Sequence, residues 1–133
     1  MKIQIISSLA YVEVKNITSY NLIPERNGLS KVFLKVLFWK DIPMHLASGE
    51  MQIISKQHPA GTYYTCNISA RLKVIFGTIP ESLIKITLCD GRELILGTPF
   101  IPVKSDETRS LTNYLFSIQH NGIDPPLEMI TSI

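Results

Sequence analysis

Residues 64–76 read Tyr64-Thr65-Cys66-Asn67-Ile68-Ser69-Ala70-Arg71-Leu72-Lys73-Val74-Ile75-Phe76. Every even position is apolar or aromatic, and Thr65, Asn67, Ser69, Arg71 and Lys73 stand between them. Side chains on a strand alternate between two faces, whereas on a helix these positions would spread around the whole circumference. The spacing predicts a strand with one buried face. At about 3.3 Å per residue such a run approaches about 40 Å, longer than common strands, so a bulge or bend is expected near Ala70.

A second pattern follows in residues 84–96, where Ile84-Lys85-Ile86-Thr87-Leu88 and Glu93-Leu94-Ile95-Leu96 flank Cys89-Asp90-Gly91-Arg92. This is a hairpin. A two-residue Asp90-Gly91 turn would set Ile86 opposite Ile95 and leave Leu94 and Leu96 on the other face. A three-residue loop closed by Gly91 in the left-handed region instead pairs Ile86 with Leu94 and Ile84 with Leu96. The second register is expected, because a slip of one residue would carry one strand's apolar set to the wrong face.

In residues 31–40, Val32, Leu34, Val36 and Phe38 alternate with Phe33, Lys35, Leu37 and Trp39, so both faces are largely apolar. A two-faced strand is either covered on both sides or forms part of an intersubunit surface. Phe33, Leu37 and Trp39 are the interface candidates. Tyr114, Phe116 and Ile118 mark another strand, whose apolar face His120 continues. Residues 2–14, with a change of phase around Ile6 to Ser8, 50–56 and 127–133 are weaker strand candidates.

The prolines, Pro24, Pro43, Pro59, Pro80, Pro99, Pro102, Pro125 and Pro126, fall between these runs, as expected of a residue that donates no ladder hydrogen bond. Helix is confined to short turns, at residues 80–83 and 106–111. The chain, 1–133, reads as a single all-β domain, an antiparallel β-sandwich or partly closed barrel.

Composition narrows the function classes. Apolar residues make up 45% of the chain, enough for one core, while charged residues reach only 18%, below the roughly 25% usual in soluble domains. Contact with a partner is one way to cover so uncharged a surface. The net charge is +2 and the basic residues are scattered, so nucleic acid is not expected as a partner. No apolar run approaches the roughly 18–20 residues of a membrane span, and polar residues interrupt the N-terminal segment too early for a secretory signal. A cytoplasmic or virion location follows. Cys66 and Cys89 are too few for a disulfide framework and are expected to be reduced thiols.

His45, His58, His120, Cys66 and Cys89 show no paired ligand spacing, so neither a metal nor a cofactor is expected. Phosphate-loop, dinucleotide-binding and nucleophile-elbow motifs are absent, and a site would have to assemble from distant groups such as His58 and Asp41. The expectation is no enzyme. Cys66 belongs to the inward face of its strand and reads as a small core residue, while Cys89 lies at the hairpin loop. Tyr63, Arg71 and Lys73 share the outward face of the long strand, where they could stack bases and hold phosphates; a solvated sheet face produces the same residues.

Residues 84–129 contain Leu88-Cys89-Asp90-Gly91-Arg92-Glu93-Leu94-Ile95-Leu96-Gly97-Thr98-Pro99, then Ile101-Pro102-Val103, then a strand ending His120-Asn121-Gly122. This third of the chain resembles small β-structured proteins of Bacteroidetes phages and prophages. The resemblance implies a virion component of the tail or neck. With the two-faced strand and the low charge, the function expected is a non-catalytic structural or assembly protein in a homo-oligomer or larger assembly. The alternative is a β-barrel module that binds nucleic acid or a small ligand.

Overall fold

The computed structural model describes residues 2–26, 28–73, 80–103, 115–122 and 124–130. Its strands are β1 (Lys2–Glu13), β2 (Ile17–Ile23), β3 (Lys31–Val36), β4 (Lys40–Ile42), β5 (Gly49–His58), β6 (Gly61–Arg71), β7 (Ser82–Leu88), β8 (Glu93–Leu96), β9 (Leu115–Gly122) and β10 (Leu127–Ile130). One 3-10 turn, Val14–Asn16, joins β1 to β2. The fold is all-β, as the alternating patterns predict.

All the strands belong to one open sheet in the order β2-β3-β10-β8-β7-β1-β5-β6-β9, with β4 paired to β1 off that path. Every pairing is antiparallel except β10 with β3, where Met129 lies beside Val32 and Ile130 beside Phe33. The expected sandwich or partly closed barrel thus takes the form of a single mixed sheet that is not closed.

Two apolar clusters explain how one sheet makes a core. The first gathers Ile84, Ile86 and Leu88 of β7, Leu94 and Leu96 of β8, Met51 of β5, Ile68 of β6, and Phe116 and Ile118 of β9. The strands from β8 to β9 therefore curl around one interior. The second cluster takes the alternate residues, Val12 of β1, Leu83 of β7 and Ile95 of β8, and packs them against Val32 and Leu34 of β3, Tyr20 of β2 and Leu127 of β10. Beyond β8 the sheet curls in the opposite sense, and β7, β8 and the later part of β1, from Leu9 to Val12, are covered on both faces.

The change of phase in β1 is a bulge. Ile6 pairs with Leu88 and Ser8 with Thr87, leaving Ser7 unmatched. The extra residue lets both Ile6 and Leu9, an odd number of positions apart, reach the first cluster.

The β7–β8 hairpin has the expected register, with Ile86 opposite Leu94 and Ile84 opposite Leu96. Gly91 has φ +94° and donates its N–H to the Leu88 carbonyl at 2.9 Å. Asp90 accepts hydrogen bonds from the Arg92 backbone N–H and Nε, which hold its carboxyl below the ordinary value. A Cβ on Gly91 would meet nothing within 4 Å, so only the backbone conformation resists it. Gly91→Ala is expected to lower stability by about 1 kcal/mol, read as a lower denaturation midpoint at unchanged slope; an unchanged midpoint would contradict this.

Other expectations are corrected. The long strand ends at Arg71, and its pairing with β9 runs from Tyr64↔Gly122 to Arg71↔Leu115 without a bulge at Ala70. Leu72 then bridges Met44, because the chain before β5 reaches across to it. Residues 74–76 lie outside the described residues. No helical turn forms at residues 80–83: Ser82 opens β7, exchanging backbone hydrogen bonds with Val103, while Leu83 enters the second cluster. The proposed turn at 106–111 lies outside the described residues.

Candidate assembly surface

The strand expected over residues 31–40 breaks after Val36. The Leu37 N–H donates to the Asn16 carbonyl at 2.9 Å, and β4 begins only at Lys40, where it turns to pair with β1. With the alternation broken, Leu37 and Phe38 are both exposed, at 65% and 50%. Trp39 instead packs against the second cluster with Leu34 and Val36, and the Lys85 ammonium lies 4.8 Å from its ring centroid. Phe33 is half-buried. The three interface candidates therefore do not form one face: Leu37 is on the surface and Trp39 is a covered residue of the core's margin.

Tyr63, Arg71 and Lys73 are exposed but not gathered. Tyr63 and Arg71 lie near opposite ends of β6, separated by roughly 26 Å of strand. Lys73 lies beyond the strand, its N–H donating to the Pro43 carbonyl. The shallow groove between these ends, about 220 Å³, is lined by Glu50, Gln52, Asn67, Ser69 and Gln119 and brings no cation to meet a phosphate. His58 and Asp41 are also apart. His58 ends β5 beyond the Lys2↔Ile53 pair, and Asp41 pairs with Ala10, so roughly 40 Å of strand separates them. Cys66 is buried and its thiol is pushed up to about 12 by desolvation, so it is no nucleophile at neutral pH. Cys89 is exposed, and both cysteines are free thiols. Among the described residues, no three of His, Cys, Asp or Glu come together as a metal site, and no helix is long and apolar enough to cross a membrane.

What the sequence reading missed is β2. Ile17-Thr18-Ser19-Tyr20-Asn21-Leu22-Ile23 is rich in β-formers and bounded by a 3-10 turn and Pro24. Those features could have located it, but its apolar residues do not keep a clean period of two. The reason is a bulge at Thr18: Ile17 pairs with Val36 and Ser19 with Lys35. The Thr18 hydroxyl fastens the bulge by donating to the Lys35 carbonyl at 2.9 Å.

Along its other edge β2 pairs with no strand among the described residues. Edge strands commonly carry lysine or proline, which discourage pairing with another chain. β2 carries neither, and no charged residue of any kind. Exposed apolar side chains stand at both ends, Leu37 and Phe38 near Ile17, and Leu22 and Leu29 near Ile23. Tyr20 sits at the centre with its ring against the second cluster; burial, and secondly the Asp124 charge, raise its phenol above the ordinary value and keep it neutral.

Charge is confined to the ends of β2. Lys15, before it, pairs with Glu13 at 3.2 Å, and Lys40 reaches the same carboxylate at 3.3 Å. Lys15 chiefly, with Lys40, holds the Glu13 carboxyl below its ordinary value against the opposing effect of desolvation. Glu25, after the strand, pairs with Lys31 at 3.5 Å.

A cleft of about 570 Å³ opens between the β2–β3 turn and the hairpin, lined in part by Arg26, Lys31, Arg92, Glu128 and Gln4. The Gln4 Oε1 is buried there without a hydrogen-bond donor among the described residues. The comparisons with known proteins return no match, whether to a family model, a curated protein or a solved structure.

Proposed function

We propose that this chain is a non-catalytic structural or assembly protein that works through protein–protein contacts, in a homo-oligomer or larger assembly. The observation that carries the reading is the uncharged edge of β2, which pairs with no strand among the described residues. Its backbone N–H and C=O groups are a template for a further strand, and main-chain pairing of this kind supplies affinity without a catalytic group. The exposed Leu22, Leu29, Leu37 and Phe38 add apolar contact beside it. The likeness of residues 84–129 to phage β-proteins directs the reading towards a virion tail or neck.

Light scattering across a wide range of concentration checks this. A mass that is a multiple of 15.0 kDa is the expected result, and a monomer throughout would sink the self-assembling form of the reading. The alternative, a small-ligand module, has in its favour the Gln4 cleft, where a bound donor would satisfy the buried Oε1.

A further inference from the structure

On the assembly reading above, we propose that β2 pairs antiparallel with β2 of a second copy of this chain, about a two-fold axis through Tyr20, so that two sheets run on as one. A two-fold contact brings the same patch of both protomers together, so the patch must complement itself when reversed. The sequence of β2 does. With Tyr20 on the axis, Ser19 lies opposite Asn21 of the second copy, Thr18 opposite Leu22, and Ile17 opposite Ile23.

Each of these pairings is acceptable on an antiparallel ladder. Ser19 and Asn21 are a hydroxyl and an amide that already hydrogen-bond within the strand, Nδ2 donating to Oγ at 3.0 Å. The two isoleucines form a β-branched pair, and no like charges face one another. The bulge at Thr18 lies outside the three central pairs, from Ser19 to Asn21, so these remain in regular geometry. The flanking groups also match when reversed. The Ile17 end carries Lys15, exposed over 78% of its side chain, and the Ile23 end carries Glu25, exposed over 42%. Reversal brings Lys15 of one copy towards Glu25 of the other. It also sets Leu37 and Phe38 of one copy beside Leu22 and Leu29 of the other, removing four exposed apolar side chains per protomer from water.

The register makes a charge-swap test possible, because Ser19 and Asn21 meet across the axis and both lie outside the core. Ser19→Lys with Asn21→Lys sets ammonium against ammonium twice and should weaken dimerisation about tenfold or more. Ser19→Glu with Asn21→Lys sets opposite charges in the same places and should restore the wild-type mass by light scattering. Circular dichroism reports whether each variant keeps the sheet. In the wild type, amide exchange over residues 18–22 should slow as concentration rises, a readout that survives should a variant fail to fold. A wild-type oligomer whose β2 exchange ignores concentration, or whose mass survives the double-lysine change, overturns the β2 interface and leaves assembly standing. A variant with opposite charges that remains monomeric overturns the register. A wild type that is monomeric throughout overturns the assembly reading itself.

Discussion

Leu83→Ala and Ile84→Ala, changes at consecutive positions of β7, are each expected to destabilise the protein by about 2–5 kcal/mol. On a strand with one solvated face, only one of two neighbours would matter, because side chains alternate. Here both are fully buried, at 0% exposure. Ile84 enters the interior enclosed by β8 to β9, and Leu83 enters the space beneath β2, β3 and β10. Each truncation leaves a cavity in a separate cluster. Against a total stability of about 5–15 kcal/mol either loss is large, and the pair should be close to additive if the clusters are independent. Denaturant unfolding of both single variants checks this. A value within about 0.5 kcal/mol of wild type at either position would mean that its face is not packed.

Gly49→Val should also destabilise, by about 1–3 kcal/mol, for a reason opposite to that at Gly91. Gly91 has open space and an unusual φ; Gly49 has no space. A Cβ there would lie 2.7 Å from Met44 Cε and 3.0 Å from Ile6 Cβ. The methionine end can swing aside, but Ile6 is held by its pairing with Gly49 across β1 and β5. The preceding loop is also tied down: the His45 N–H donates to the Arg71 carbonyl at 2.7 Å, and the Ser48 Oγ accepts from the Arg71 N–H at 3.1 Å. Thermal unfolding of Gly49→Ala and Gly49→Val should show a graded loss, the larger side chain losing more. Equal midpoints for the two variants would show that the loop yields.

Much of the fold is legible from period-two patterns, because alternation is enforced wherever one face of a strand is buried. β6, β9 and the hairpin show this, and the hairpin register followed from keeping Ile84, Ile86, Leu94 and Leu96 on one face. The same reasoning failed at Leu37. Alternation continues through Val36, Leu37, Phe38 and Trp39 in the sequence, but the chain turns there to move from the β2 side of the sheet to β1. Nothing local marks that turn, since its cause is the Leu37 to Asn16 hydrogen bond between segments. Of the candidate surface, Leu37 was visible in advance, while β2 was hidden by its bulge. Its open edge depends on strand order, which no residue of β2 encodes.

The one parallel pairing has a consequence in time. β2 and β3 pair as a local hairpin, and their side chains pack over β1 and β7, yet among the described residues their strand ladder joins the sheet through β10. Val32 must wait for Met129, so the hairpin has no strand ladder to the rest of the sheet until nearly the whole described chain has been made. Closing so long a loop is slow, and during synthesis the uncharged edge of β2 and the unsatisfied edge of β3 are both open to other nascent chains. The assembly edge is thus also a hazard during synthesis, because the arrival of β10 seals the β3 side of the hairpin and not the β2 side.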